Sequence, residues 1–283
     1  MTQASEKEII IRDIEDVGEM RLIERLEKDV WGVADLDVVP VTQLVAARHA
    51  GGILVGAFDQ RDMVGFAYGF PGYEGGHVTI HSHMLAVKSA YRNHNLGYRL
   101  KLAQRERALS AGVTRMTWTF DPLQSLNAHF NFAKLGVLSD SYRVDFYGES
   151  TSFLHRTGTD RLWVTWLLAS ERVRRRLAHH DQVIDIESAA ALVRVGEDDS
   201  PQSDDSIEAL ARSRALIEIP ANIAAIEESD TDRAALWRKA SCRAFTRAMD
   251  AGFLVEEFIR GNRDGKPFGA YLLSRGKKIE DFV

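Results

Sequence analysis

The sequence predicts a layered α/β fold, built on a mixed, mostly antiparallel twisted sheet that is flanked by helices. Strand-like and helix-like segments alternate through the first 170 residues, and turn residues join neighbouring apolar runs as antiparallel hairpins. Hydrophobic residues make up 45% and charged residues 27% of the 283-residue chain, which is the balance of an ordinary globular protein.

Each element of this first half has a local signal. A β-branched run predicts the first strand, apolar positions three and four residues apart predict the helices, and Asp59-Gln60-Arg61-Asp62 predicts a four-residue hairpin loop. Gly112 and Gly136 are placed where they would end two of the helices. The expected order is strand 8–14, helices 16–30 and 41–49, strands 53–58, 63–70 and 77–87, helix 96–111, strand 115–120, helix 125–135, and apolar runs 144–147 and 162–168.

The chain after residue 170 also carries signals of regular structure. A basic helix at 171–180 precedes the segment 196–206, GEDDSPQSDDS, whose lack of apolar residues predicts an exposed acidic loop or linker. A strand, a long helix and two more strands are expected at 214–219, 232–250, 253–259 and 268–273. We therefore expect two regions, 1–170 and 171–283. The second is an α+β extension that either folds separately or extends the sheet of the first.

Composition argues against several classes of function. The chain has 36 Lys and Arg against 41 Asp and Glu, so its formal charge of −5 disfavours general binding of nucleic acid. Cys242 is the one cysteine, which excludes a disulfide framework within the chain. No apolar stretch approaches the ~20 residues of a membrane span, and the first residues lack the pattern of a signal peptide. We expect a cytoplasmic protein that acts on small molecules, without nucleic-acid or membrane partners.

The segment from Leu85 to Gly97, LAVKSAYRNHNLG, carries the clearest chemical signal. A strand ends there, a short polar turn follows, and a helix begins near Leu96. The first amide groups of a helix have no partner within it, so they form an anion site together with the helix dipole. Arg92 adds a positive charge, and Gly97 permits a close approach to the backbone. This pattern predicts a site for a phosphate or pyrophosphate group.

The same segment resembles the GNAT superfamily of acyl-CoA-dependent N-acyltransferases. In that family, a strand ending in an apolar-x-Val pattern runs into Arg/Gln-x-x-Gly-x-Gly/Ala. Leu85-Ala86-Val87 and Arg92-Asn93-His94-Asn95-Leu96-Gly97 match this pattern, with Asn95 in place of the first glycine. Asparagine tolerates the left-handed backbone conformation better than most residues, so we expect the turn to be kept.

A second family element follows at a suitable distance. The strand 115–120, then Asn127-Ala128 and the segment from Phe130 to Val137, resemble the strand and helix that flank the coenzyme in the family. The resemblance covers roughly residues 8–169, and the protein would be a C-terminally extended member of the family.

The resemblance implies a GNAT-like sheet and a site for acyl-CoA. Backbone amides from Arg92 to Tyr98 would hold the pyrophosphate. The backbone of Leu85 and Val87 would pair with the thioester carbonyl and the pantetheine arm, and would stabilise an oxyanion. The implied coenzyme-binding residues are Leu85, Val87, Arg92, Asn93, His94, Asn95, Leu96, Gly97, Tyr98, Asn127 and Phe132.

His81 and His83 are the candidate catalytic residues. They are two residues apart on a strand and therefore share a face. The sequence His81-Ser82-His83 resembles the arylalkylamine N-acetyltransferases, in which two histidines relay a proton from the amine. An amine with a pKa near ~10 must lose a proton before it attacks, and histidine suits that task. We expect His81 to be the base, through water, with His83 assisting.

Two other interpretations of these histidines remain. They could be half-buried structural residues, or they could bind a metal together with His77 on the same face. Metal binding is disfavoured because no carboxylate lies at ligand spacing, and because a straight strand separates His77 from His81 by about 13 Å. We expect no metal.

The acid and the substrate contacts are less defined. Phe132 stands where the family usually has a tyrosine that returns a proton to the CoA thiolate, so solvent, Tyr98 or Tyr147 would act instead. Arg161 and Tyr147 are candidate substrate residues, because an arginine fork suits the carboxylate of an amino acid or of a dicarboxylic acyl group. Alternatively, Arg161 pairs with Asp160 or another internal acid.

The sequence therefore predicts an acyl-CoA-dependent N-acyltransferase. It would move an acetyl or succinyl group to the amino group of a small molecule, with an amino acid as the candidate acceptor, by direct attack in a ternary complex. One alternative is a non-catalytic acyl-CoA sensor or interaction module, which Phe132 and Asn95 favour. Another is a protein N-acetyltransferase. A homodimer is compatible with the sequence.

Overall fold

The computed structural model describes residues 8–92, 94–148, 158–180, 184, 186 and 188–283. These residues form two compact units, which divide between Trp118 and Thr119. The sequence predicts a different boundary, between the regions 1–170 and 171–283, and that boundary stays a prediction.

Unit 1, up to Trp118, contains an antiparallel meander and three helices. Its strands are β1 (Ile9–Asp13), β2 (Ile53–Asp59), β3 (Asp62–Glu74), β4 (His77–Val87) and β5 (Arg115–Phe120), the last of which runs across the division. Its helices are α1 (Val17–Trp31), α2 (Val41–His49) and α3 (Leu96–Ser110), with short 3-10 helices at Asp35–Asp37 and Ser89–Tyr91. Strands β1 to β4 pair in antiparallel fashion in chain order, and β5 pairs in parallel with β4.

Helix α1 shows how the sequence sets these elements. The Asp16 side chain accepts hydrogen bonds from the N–H groups of Gly18 and Glu19, which caps the helix start. At the other end, Gly32 adopts a left-handed φ of 58°. The apolar stripe of α1 packs with α2 against β2, β3 and β4, and so covers the sheet that carries the candidate site.

Unit 2, from Thr119 onward, contains both parallel and antiparallel strand pairs. Its strands are β6 (Leu138–Arg143), β7 (Arg161–Leu167), β8 (Ala190–Val195), β9 (Pro201–Ser203), β10 (Arg214–Pro220), β11 (Phe253–Arg263) and β12 (Lys266–Arg275). The strand order is β7-β6-β11-β12-β10-β8-β9, and β8 and β10 are parallel. Its helices are α4 (Ser125–Ala128), which continues as a π-helix over His129–Leu135, α5 (Glu171–Leu177), α6 (Ile207–Ala211), α7 (Ile223–Ser229) and α8 (Thr231–Asp250), followed by a 3-10 helix at Ile279–Phe282.

The mixed α/β class and the mostly antiparallel sheet are confirmed, and three local expectations are wrong. The hairpin after β2 closes with two residues rather than four, because Asp59 pairs with Asp62 and Gln60 adopts a positive φ of 56°. The apolar run 144–147 is a turn in which Asp145 has a φ of 47°, and the strand precedes it. The acidic segment 196–206 contains β9, which pairs with β8.

None of the helices in the described part of the chain is long and apolar enough to cross a lipid bilayer.

Candidate active site

Strand β4 has a bulge where the two candidate catalytic histidines lie. The register with β3 shifts between Tyr68 and Phe70, so that Gly69 lies opposite both Ser82 and His83. A Cβ atom on Gly69 would lie 2.9–3.0 Å from atoms of β4, so the close approach of the strands at this point requires glycine. The extra residue of β4 therefore depends on a glycine of the neighbouring strand.

The bulge brings four rings together. His81 and His83 have ring centroids 6.3 Å apart, and Phe70 lies 5.4 Å from the first ring and 5.6 Å from the second. Tyr68 packs edge-on to His83 at 6.0 Å. The two imidazole rings therefore lie on one face of β4, as the sequence predicts, and the rings of Phe70 and Tyr68 pack beside them.

His81 is fixed by the next strand. Its Nδ1 atom lies 3.1 Å from Oγ1 of Thr117 on β5, although which atom donates depends on the tautomer. Burial lowers the pKa of His81 to about 4, and the nearby His83 and Lys101 add to the effect. Burial also lowers the pKa of His83. His81 is therefore neutral at pH 7 and able to accept a proton.

One edge of β4 beyond the histidines has no strand partner in the described residues. Pairing with β5 ends at His81, whereas β4 continues for six more residues. The N–H of Lys88 donates to the carbonyl of Val64 on the β3 side. Because successive residues of a strand point to alternate edges, the backbone groups of Leu85 and Val87 point away from β3. These are the two residues expected to pair with the acyl-CoA arm.

The predicted phosphate loop has the backbone that the sequence requires. Asn95 adopts the left-handed conformation with a φ of 58°, and α3 begins at the next residue. A Cβ on Gly97 would meet only Leu85, at 3.6 Å, so the protein's own packing leaves open space there. The Arg92 side chain is exposed and its Nε lies 3.4 Å from the Val87 carbonyl. The first-turn amides of α3, the open space beside them and the cation of Arg92 fit a pyrophosphate.

Other predicted residues of this loop line a cavity of about 760 Å³ in unit 1. Its walls are formed by Glu8, Ile9, Ala90, Tyr91, His94, Leu96 and Arg99. Tyr98 is partly buried, which raises the pKa of its phenol, so the hydroxyl keeps its proton at neutral pH. Asn93 lies outside the described residues.

The predicted residues of the π-helix region lie in unit 2. Phe132 is fully buried, with its ring 6.4 Å from Phe120 and 5.7 Å from Tyr271. It therefore packs in the core of this unit and offers no proton. Asn127 is exposed.

The two candidate substrate residues are in contact with each other. The guanidinium of Arg161 lies 5.2 Å from the ring centre of Tyr147, and its Nη1 donates to the main-chain carbonyl of Asp160. The Asp160 carboxylate instead accepts from the Tyr142 hydroxyl and from the N–H of Asp145. Arg161 is 8% exposed, whereas Tyr147 is 47% exposed. Burial lowers the pKa of Arg161.

Sequence reasoning missed the supports of the histidines. Thr117 stands in an alternating strand, but the parallel register that brings it to His81 cannot be read from one sequence. Lys101 is a lysine on a helix, which favours a solvated position, yet it is 4% exposed. Among the described residues, no group of three or more side chains is arranged to hold a metal ion.

Part of the chain is similar to known proteins. The acetyltransferase (GNAT) family model matches residues 19–137. Solved structures that match part of the chain include a GNAT-family acetyltransferase from Streptococcus pneumoniae (15% identity, TM-score 0.45, 56% of this chain and 98% of that chain). The ribosomal-protein-S18-alanine N-acetyltransferase from Escherichia coli is 12% identical, with a TM-score of 0.45, and the match covers 57% of this chain and 94% of that chain. The aminoglycoside 6′-N-acetyltransferase from Enterococcus faecium is 19% identical, with a TM-score of 0.43, and the match covers 56% of this chain and 97% of that chain. No curated protein matches the chain. The match assigns residues 19–137, rather than the whole chain, to the acetyltransferase (GNAT) family.

Proposed function

We propose that the protein transfers an acyl group from acyl-CoA to the amino group of a small molecule. The acyl group would be acetyl or succinyl, and the acceptor class would be amino acids. The GNAT domain supports acyl transfer in general. The observation that carries the proposal is the β4 bulge, where two imidazoles lie beside a strand edge that has no partner in the described residues.

The reaction needs one proton acceptor and one oxyanion site. The acceptor ammonium loses a proton to His81, directly or through water, and His83 assists. The amine nitrogen then forms a bond to the thioester carbon and gives its second proton to solvent, and the C–S bond breaks to release the CoA thiolate. Amides at the free edge of β4, at Leu85 and Val87, are suited to stabilise the negative charge on the thioester oxygen between these two events.

The low pKa of His81 has a consequence for this step. At pH 7 the imidazole is unprotonated and ready to accept, but it is a weak base towards water. Transfer is then favourable only where the bound amine is itself desolvated and has lost part of its basicity. We therefore expect the rate to follow deprotonation of the acceptor amine, with no second rise near pH 6.5.

The loop before α3 would hold the pyrophosphate. Amides of Leu96, Gly97 and Tyr98 begin the helix, and the side chain of Arg92 can add a charge-assisted hydrogen bond. His94 and Asn95 lie in the same loop.

Arg161 and Tyr147 are proposed to contact the carboxylate of an amino acid or of a succinyl group. Their support is that a buried guanidinium lies next to an exposed phenol ring in unit 2. The thiolate that leaves would take its proton from solvent, Tyr98 or Tyr147, since Phe132 has no hydroxyl.

Binding of acetyl-CoA, succinyl-CoA and free CoA by calorimetry tests the first half of the proposal. Gly97→Ala is a sharp variant, because its methyl group would meet only Leu85 in the protein but would fill the space next to the amides. We expect the variant to keep its unfolding midpoint and to bind CoA about tenfold more weakly, about 1.4 kcal/mol. If wild-type protein binds none of the three ligands, the proposal fails.

Turnover separates an enzyme from a sensor. Thiol release from acetyl-CoA and succinyl-CoA would be followed with amino acids, arylalkylamines and an aminoglycoside as acceptors. Transfer to at least one of these amines, with the amide identified by mass spectrometry, supports the enzyme. Tight binding of acyl-CoA without transfer to any acceptor would favour the sensor, which the buried Phe132 also suits.

A further inference from the structure

A buried lysine lies behind the histidines, on the α3 side of the sheet. The Nζ atom of Lys101 lies 2.7 Å from the Oγ atom of Ser82, which in turn donates to Oε1 of Gln104 at 2.8 Å. The same Nζ atom lies 3.6 Å from the centre of the Trp118 ring. Lys101 is 4% exposed, and no ion pair within the described ranges involves it.

This lysine is an unfavourable choice for packing alone. A buried amine loses its hydration, and the usual compensation is a carboxylate, which is not found near Lys101 in the described part. Burial lowers the pKa of Lys101, which is the expected response to this environment. A methionine would fill a similar volume without that desolvation. The contribution of Lys101 to folding is therefore expected to be small or unfavourable.

The position of Lys101 relative to β4 and β5 indicates a role other than stabilising the fold. Ser82 is one of the two bulged residues of β4, and it stands between the two histidines. Trp118 follows Thr117, the partner of His81 on β5. Lys101 thus contacts β4 and β5 from behind at the level where their pairing ends.

We propose that Lys101 is a positioning residue that ties β4 to β5 at the bulge and so fixes where the two strands separate. Ser82 is the attachment on β4, and the face of the Trp118 ring is the attachment on β5. The separation sets where the edge amides of β4 lie relative to the thioester, and it aims the imidazoles in front of them. The effect of Lys101 on catalysis rests on the proposed acyl transfer. The effect of Lys101 on the position of the two strands and of the imidazoles does not.

Lys101→Met tests the role. We expect an unchanged or higher unfolding midpoint, because the desolvated amine is gone. We expect kcat with acetyl-CoA and the best acceptor of the panel to fall on the order of tenfold or more, because a small misplacement of reacting groups slows the reaction. The dissociation constant of CoA should change little, since the phosphate loop is intact. Lys239→Met, on the exposed face of α8, is the control and should match wild type.

A second variant links the lysine to β4. Ser82→Ala removes the oxygen that Nζ contacts, so kcat should fall in the same direction. If the two residues act together, the double variant should be no slower than the slower single variant. Additive losses would overturn the proposal.

Imidazole ¹⁵N–¹H correlation spectra give a readout that does not need turnover. His81→Asn and His83→Asn assign the two rings. In Lys101→Met, both sets of signals should shift or broaden, while the signal of the exposed His77 should not. Unchanged ring signals, or an unchanged kcat, would overturn the proposal. So would a loss of kcat accompanied by a lower unfolding midpoint and weaker CoA binding, since that pattern indicates a purely structural role. If wild-type protein transfers no acyl group, the proposed function fails, and the spectra alone decide the positioning.

Discussion

Strands β4 and β11 each carry a bulge, and the two bulges differ in the charges that surround their side chains. In β4 of unit 1, the bulge presents His83 next to His81, and burial lowers the pKa of both histidines. In β11 of unit 2, Glu256 is the extra residue between paired positions, and it is buried together with Glu257. The backbone irregularity is similar, but the charges around it are not.

The carboxylates of β11 are fully matched by cations. Glu257 pairs with Arg172 at 2.9 Å and with Arg176, and Glu256 pairs with Lys277 at 2.9 Å. A bulge whose side chains are already ion-paired has little capacity left for a ligand. The β11 bulge is therefore a structural joint, although its carboxylates also line a cavity of about 370 Å³.

The largest expected effect is at the structural joint. Glu257→Gln leaves two largely buried arginines without their carboxylate, and loss of one partner of a buried ion pair costs about 3–5 kcal/mol. We expect a marked fall in the urea midpoint of unfolding and unchanged CoA affinity below the transition. The control is Glu171→Gln, whose pairs with Arg174 and Arg175 are exposed and should contribute at most about 0.5 kcal/mol. Equal losses in the two variants would remove the distinction between the bulges.

At the β4 bulge, the effect should appear in catalysis rather than in stability. His81→Asn keeps a polar group within reach of Thr117 but removes the base, so kcat should fall about 10²- to 10³-fold with little change in the unfolding midpoint. His77→Asn, at the exposed start of the same strand, is the control. Normal turnover of the His81 variant would show that the imidazole is not the base.

A buried carboxylate in unit 1 provides a third case to compare with the two bulges, because no cation of the described residues pairs with it. In unit 1, Glu27 is 1% exposed and accepts a hydrogen bond from the N–H of Val39, and burial raises its pKa to about 7. The folded state therefore holds this proton more tightly than the unfolded state. The stability that this proton provides is present below about pH 4.5 and is lost as the pH rises through about 7.

Glu27→Gln mimics the protonated form at every pH. We expect the variant to be more stable than wild type by up to about 3 kcal/mol above pH 7, and to approach wild type towards pH 4.5. This is opposite in sign to the effect of Glu257→Gln. Unfolding midpoints from pH 4.5 to pH 8.5 measure it, with the exposed Glu15→Gln as a control that should show no such trend. A constant difference across the range would contradict the assigned pKa.

Sequence reasoning located most elements because their signals are local. The helical spacing before Gly112 and the alternation in the strand 115–120 depend only on neighbours along the chain. The left-handed turn at Asn95 was likewise expected from the residue type, and the structure has it. A family resemblance over the first half added the prediction that the loop before α3 holds a pyrophosphate.

The features that sequence reasoning predicted wrongly or missed depend on residues that are distant along the chain. The bulge beside His83 needs Gly69 on another strand, and the contact to Thr117 needs the register of a parallel crossover. The burial of Lys101 reverses the usual preference of lysine for solvent, and no local pattern announces it. The acidic segment 196–206 looked like a linker because its short strand is held by β8 rather than by its own apolar residues.

The smallest expected effect concerns the turn before α3, where backbone conformation rather than charge prepares the site. Asn95 holds a φ of 58°, which costs most side chains about 1 kcal/mol but costs asparagine and glycine less. Asn95→Ala should therefore lower the free energy of unfolding by about 1 kcal/mol, whereas Asn95→Gly should stay within a few tenths of wild type. The same turn aims the first amides of the helix, so Asn95→Ala should also bind CoA more weakly, by calorimetry, than Asn95→Gly does. If alanine and glycine bind CoA equally well, the turn contributes to folding alone, and ligand binding in unit 1 must then depend on the edge of β4.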